Sequence, residues 1–151
     1  MKPTLYLAGA CENLPDLGIA WRREVAAAMA EVGLVPVWPA GLDGVVDGTT
    51  TVAEARAWFE GHKREVLGAD IERMLRCSGV FLHVPDAGKG TRAEVAVALA
   101  ADVPVFVHAA IPPNWALATR RTSAAGWSGD LHCVLEIAAE ELALAAEKAA
   151  R

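Results

Sequence analysis

Four short apolar runs, at residues 4–9, 34–38, 79–84 and 103–108, constrain this chain more than any other feature. A strand with one wet face alternates polar and apolar residues, whereas an unbroken apolar run must be covered on both sides. Between these runs the apolar residues recur at helical spacing. Leu17, Trp21, Val25, Ala28, Met29 and Val32 form one stripe, with Asp16 placed to cap its start and Gly33 its end. A second helical pattern covers residues 52–76, with Gly68 as its expected break, and a third covers residues 91–101. A fourth runs through Leu131, Leu135, Ala138, Leu142 and Ala145. The segment containing Gly41, Gly44, Gly48 and three consecutive threonines is expected to be loop. A fifth strand over residues 132–135 stays open, because periodicity does not separate it there from helix. The expectation is an α/β chain: one domain, with a parallel sheet of four to five strands and helices on both faces.

Composition narrows the function. At 151 residues with 54% hydrophobic and 22% charged, the chain has material for one core and is not of the disordered class. Its net charge of −5 is the wrong sign for a protein that lives on a phosphate backbone, so no nucleic acid polymer is expected as a partner. Cys11, Cys77 and Cys133 have no C-x-x-C spacing, which fits neither a disulfide scaffold nor a zinc ribbon and suggests a reducing compartment. The histidines (His62, His83, His108, His132) lack metal-ligand spacing, so no metal is assigned. No apolar run reaches the roughly 20 residues of a membrane span, and the one after Lys2 is too short for a signal core. A cytoplasmic protein without membrane contact is expected.

In a parallel sheet, ligands bind beyond the carboxyl ends of the strands where strand order reverses. Two loops therefore matter, residues 9–16 and 85–91. The second reads Pro85-Asp86-Ala87-Gly88-Lys89-Gly90-Thr91-Arg92-Ala93-Glu94. Its glycines are expected to turn the backbone sharply and admit a ligand, and the following helix to aim free N–H groups at it. It is neither a Walker A loop nor G-x-G-x-x-G, which argues against an ATPase or a dinucleotide enzyme. Glu94 has two readings. Thr91-x-x-Glu94 matches a capping box, a purely structural role. Alternatively, a glutamate near a helix start feels a dipole that favours the anion, as a nucleophile at a sugar carbon requires.

Leu5-Tyr6-Leu7-Ala8-Gly9, then Ala69-Asp70-Ile71, then the glycine loop with Glu94-Val95-Ala96-Val97-Ala98, and finally Asp102-Val103-Pro104-Val105, resemble the nucleoside 2-deoxyribosyltransferase family in order and spacing. The likeness covers roughly residues 4–108. It implies a flavodoxin-like, Rossmann-like domain that cleaves the N-glycosidic bond of (deoxy)nucleosides without a cofactor. It also implies that Glu94 attacks the anomeric carbon, Tyr6 orients it, and Asp70 lies in the sugar and base pocket. Asp70 or Asp86 would assist protonation of the departing base, and a glycosyl-enzyme would then pass its sugar to another base or to water. The family's aspartate six residues before the nucleophile is Gly88 here, with Asp86 the nearest acid, and its glycine two residues after the nucleophile is Ala96. Related hydrolases of nucleoside 5′-monophosphates hold phosphate in this loop, which would give that role to Lys89, Thr91 and Arg92. Gly88-x-Gly90-Thr91-x-x-Glu94 also resembles the cytokinin-activating phosphoribohydrolases, which break the same bond. The other class of reading is a nucleotide-binding module without turnover.

The remaining expectations concern single residues. Gly9, Asp86, Gly88, Lys89, Gly90, Thr91, Arg92 and Trp38 are assigned to substrate binding, Trp38 by stacking on a base. Asp70 read alone would pair with Arg73 one turn on. Tyr6, the sole tyrosine, needs a partner for its hydroxyl, and Glu94 is the candidate. The cysteines are read as packing residues. Surplus tryptophans, Trp115 and Trp127 among them, and an alanine-rich C-terminal helix supply interface for the homo-oligomer that the resemblance implies.

Overall fold

A computed structural model of the chain describes residues 2–110 and 127–151. Five parallel strands form one sheet in the order β2-β1-β3-β4-β5: β1 Thr4–Ala8, β2 Val35–Val37, β3 Gly79–His83, β4 Val105–His108 and β5 Trp127–Ser128. The helices are α1 Ile19–Glu31, α2 Asp43–Asp47, α3 Val52–Gly61, α4 Lys63–Leu75, α5 Lys89–Ala100 and α6 Leu131–Ala149. This is the flavodoxin-like, Rossmann-like α/β arrangement, with strand order reversing between β1 and β3.

The unbroken apolar strands are explained by the two cores they separate. Leu5, Leu7, Phe81 and Phe106 pack on one face against Val25, Ala28 and Met29 of α1 and Val134, Leu135, Ala138 and Leu142 of α6. Tyr6, Ala8, Val80, Leu82, Val105 and Val107 point the other way, onto Met74 of α4 and Val95 and Ala98 of α5. A smaller core of Leu17, Leu42, Val45, Ala55, Phe59 and Val66 seats α2 and α3 beside the carboxyl end of β1. Among the described residues no helix is long and apolar enough to cross a membrane.

Several boundaries differ from the sequence reading. The pattern over residues 52–76 breaks at His62, not Gly68, which lies inside α4. His62 leaves helical geometry and its ring Nδ1 donates to the Trp58 carbonyl at 2.8 Å, so one side chain closes α3 just before α4 begins. The glycine-threonine segment is not wholly loop. It holds α2, and it ends in a capping box at Thr51 and Glu54, with both reciprocal bonds in place. Residues 132–135 belong to α6, which Asp130 caps through the Cys133 N–H, and the fifth strand lies earlier, at Trp127–Ser128. Asp16 does bind the Gly18 and Ala20 N–H groups at the start of α1, and Gly33 follows that helix with φ +79°. Trp115 lies outside the described residues.

Candidate active site

The cleft sits where strand order reverses, beyond the carboxyl ends of β1 and β3, and encloses about 590 Å³. Its lining comes from the β1–α1 loop (Gly9, Cys11, Glu12, Asn13), from Pro39, Phe59, Val66 and Leu67, and from the start of α5. Gly9 is required by close packing: a Cβ there would stand 2.7 Å from the Trp21 ring and 3.0 Å from the His83 carbonyl. Gly18, with φ +71°, leaves room for Arg22, whose Nη1 would lie 2.5 Å from a Cβ.

Two buried carboxylic acids face the cleft, Glu94 from α5 and Asp70 from α4. The hydroxyl of Tyr6, buried beneath them on β1, donates to Glu94 Oε1 at 2.8 Å. Asp70 accepts the Ala40 N–H, which ties α4 to the exit of β2. Burial pushes Glu94 up to about 7, and the Asp70 charge adds to the rise, while the Tyr6 hydrogen bond and Arg22 oppose it. Burial also lifts Asp70 to about 6, against the Ala40 and Tyr6 hydrogen bonds and the Arg73 and Arg22 charges. Tyr6 itself is raised well above its ordinary value by burial and by Glu94 and Asp70, so it stays a donor. Near neutral pH two adjacent acids that titrate there hold roughly one proton between them.

Both readings of Glu94 at a helix start need correction. α5 begins at Lys89 with Gly88 as its N-cap, and no side chain caps it. Thr91 is therefore inside the helix rather than before it, and the Thr91–Glu94 capping box does not form. Glu94 stands beyond the first turn, where the dipole has faded, and burial decides its protonation. The glycines of this loop do not make the turn either. Gly88 is extended and Gly90 helical, whereas Asp86 carries the positive φ of 57°. A Cβ on Gly88 or Gly90 would touch nothing, so no packing contact requires glycine at either position.

Among the residues assigned to substrate binding, Gly9, Gly88, Lys89, Gly90 and Thr91 line the cleft with Asp70 and Glu94. Asp86, Arg92 and Trp38 are not among its lining residues. The Asp86 carbonyl accepts from Asn13 Nδ2 at 2.9 Å, which joins the two loops. Trp38 packs between two cores and its carbonyl accepts from Arg73. Arg73 does not pair with Asp70; it forms a bidentate pair with Asp43 instead, because α4 turns Asp70 inward and Arg73 toward α2.

Arg22, Glu12, Lys63 and the apolar residues Phe59, Val66 and Leu67 are not assigned to a site by the sequence, and Cys11, expected as a packing residue, lines the cleft. Lys63 pairs with Glu12 at 3.4 Å across the rim, and both are exposed. Burial pushes the Cys11 thiol up to about 11, which leaves it a protonated wall residue and a poor nucleophile. Arg22 carried a signal: it falls on the stripe of Val25 and Met29, so a charge was sitting at a core position. No group of three or more metal-ligating side chains exists among the described residues. Neither a protein-family model nor a curated protein matches the chain, so the functional reading rests on this geometry.

Proposed function

We propose that the chain breaks the N-glycosidic bond of (deoxy)nucleosides by a two-step mechanism with Glu94 as nucleophile. The observation that carries this reading is the Tyr6–Glu94 hydrogen bond beside Asp70, in a cleft lined by both apolar and polar side chains. A heteroaromatic base fits against Phe59, Val66 and Leu67, and the sugar then faces the carboxyl pair. In the first step a Glu94 oxygen bonds to the anomeric carbon as the C–N bond breaks, and its electron pair leaves with the base. The reactive form has the pair's proton on Asp70 and Glu94 ionised, the less populated arrangement because Glu94 is the more basic of the two, and Asp70 delivers that proton to the departing nitrogen. In the second step water or another base attacks the anomeric carbon, the glycosyl ester breaks, and Glu94 leaves as carboxylate. In either case the attacker's proton, from O–H of water or N–H of the base, returns to Asp70. Two displacements retain configuration.

The test is incubation with a panel of nucleosides, with and without a second free base, read by chromatography. Release of base, or formation of the exchanged nucleoside, supports the reading. Binding without turnover across the panel would leave a nucleotide-binding module instead.

One observation favours a 5′-monophosphate as substrate. Thr91 is 6% exposed and lines the cleft, and its hydroxyl has no hydrogen-bond partner among the described residues. It lies with Lys89 in the first turn of α5, where N–H groups also lack intrahelical acceptors. An anion seated there would satisfy all three.

A further inference from the structure

Arg22 is 1% exposed, yet no carboxylate among the described residues forms an ion pair with it. Its guanidinium is spent on backbone carbonyls. Nε donates to Leu7, Nη2 to Gly9, and Nη1 to Ala10, Leu17 and Gly18, all at 3.2 Å. The face of the Trp21 ring lies 4.2 Å from its central carbon. These acceptors bracket the β1–α1 loop, so one side chain fixes the loop that forms one wall of the cleft. Carbonyl dipoles alone are a weak return for burying a full charge. Two buried carboxyl groups, Glu94 and Asp70, line the same cleft as Arg22.

We propose that Arg22 is the counter-ion of the Glu94–Asp70 pair, a positioning residue whose charge keeps one of the two acids ionised at neutral pH while its hydrogen bonds hold the cleft wall. The inference rests on that pair being the working groups of the cleft, and not on which bond they break. The charged and titratable groups around the pair are few. Tyr6 faces it from β1 and Arg22 from α1, with Cys11 and Glu12 on the intervening loop. Lys63 and Arg73 belong to α4 and Lys89 to α5. Of these cations only Arg22 is withdrawn from solvent, and its field opposes burial at both acids. Lys63 is neutralised by Glu12 and Arg73 by Asp43.

The experiment reads protonation directly, without substrate. Carboxyl carbon-13 resonances of Glu94 and Asp70, and the side-chain nitrogen-15 resonances of Arg22, are followed from pH 4 to pH 9 in the wild type and in Glu94→Gln. The Arg22 signals should move with the same midpoint as Glu94, and that movement should vanish in Glu94→Gln. In Arg22→Gln the carboxyl midpoints should rise by about one pH unit or more, while Arg22→Lys keeps them within a few tenths. Arg22 signals that stay flat while Glu94 titrates would overturn the proposal, as would unchanged midpoints in Arg22→Gln. Should Arg22→Gln fail to fold, the wild-type titration decides alone. A chain inactive on every nucleoside would defeat the glycosidase reading and leave this result standing.

Discussion

Tyr6 donates its hydroxyl to Glu94 at 2.8 Å, joining two residues 88 positions apart through the middle strand of the switch point. The bond favours the ionised carboxylate and fixes which oxygen faces the cleft. Tyr6→Phe keeps the ring packing and removes only that donor. We expect turnover of the nucleoside to fall about 10- to 100-fold, the worth of one hydrogen bond to a charged group. The acid limb of the rate–pH profile should move to higher pH, because Glu94 loses a group that stabilised its anion. Steady-state rates across pH 5 to pH 9 check both; an unshifted profile would count against Tyr6 as the orienting group.

Glu94→Gln separates a nucleophile from a buried hydrogen-bond acceptor. Glutamine can still accept from Tyr6, but its amide does not attack an anomeric carbon. With no capping box at this position, the substitution has no helix start to damage. The expected result is a folded protein whose rate falls on the order of a thousandfold or more. Near-normal turnover by a folded Glu94→Gln protein would end the catalytic assignment.

The parts of this site that were legible in sequence are those set by strand and helix periodicity. The glycine loop falls at the strand end that periodicity expects, whereas the Tyr6–Glu94 pairing comes from the family resemblance rather than from any pattern, and the hydrogen bond between them is present. Other features depend on packing between segments distant in sequence. Arg73 chose Asp43 over Asp70 because α2 formed in a segment whose composition suggested only loop. Arg22 shows in the sequence only as a charge at a core position of the α1 stripe; its five acceptors are backbone carbonyls, which no side-chain pattern announces. The helix boundary at Lys89 moved Glu94 past the first turn, and with it the dipole ceased to govern its charge.

Phosphate preference is tested at Lys89 and Thr91 rather than at Arg92, which is not a lining residue of the cleft. If the start of α5 holds a 5′-phosphate, kcat/KM for the monophosphate should exceed that for the nucleoside. Thr91→Val removes the buried hydroxyl at constant shape, and Lys89→Ala removes the charge. Each should cost the monophosphate about 10-fold while leaving the nucleoside nearly unchanged, since neither group faces the sugar carbon in that pose. Equal losses for both substrates would place the phosphate elsewhere or nowhere.

Stability should carry the signature of the raised acids. Glu94 moves from 4.5 to about 7 on folding and Asp70 from 3.8 to about 6. Between those limits the folded state holds more protons than the unfolded one, so stability falls as pH rises. His83 works in the opposite direction: burial lowers it from 6.5 to about 4, so its contribution is lost as pH falls through that window. The two trends offset one another in the wild type. Comparison with Glu94→Gln cancels His83, which is common to both proteins, and leaves Glu94 together with its coupling to Asp70. The variant should gain on the wild type as pH rises from 5 to 8, by on the order of 2 kcal/mol, and the gain should level off above pH 8. Urea unfolding at pH 5, 6, 7 and 8 measures it. A difference that does not change with pH would mean that Glu94 titrates as an ordinary carboxylate, and the shared proton on which its partnership with Asp70 depends would then be absent.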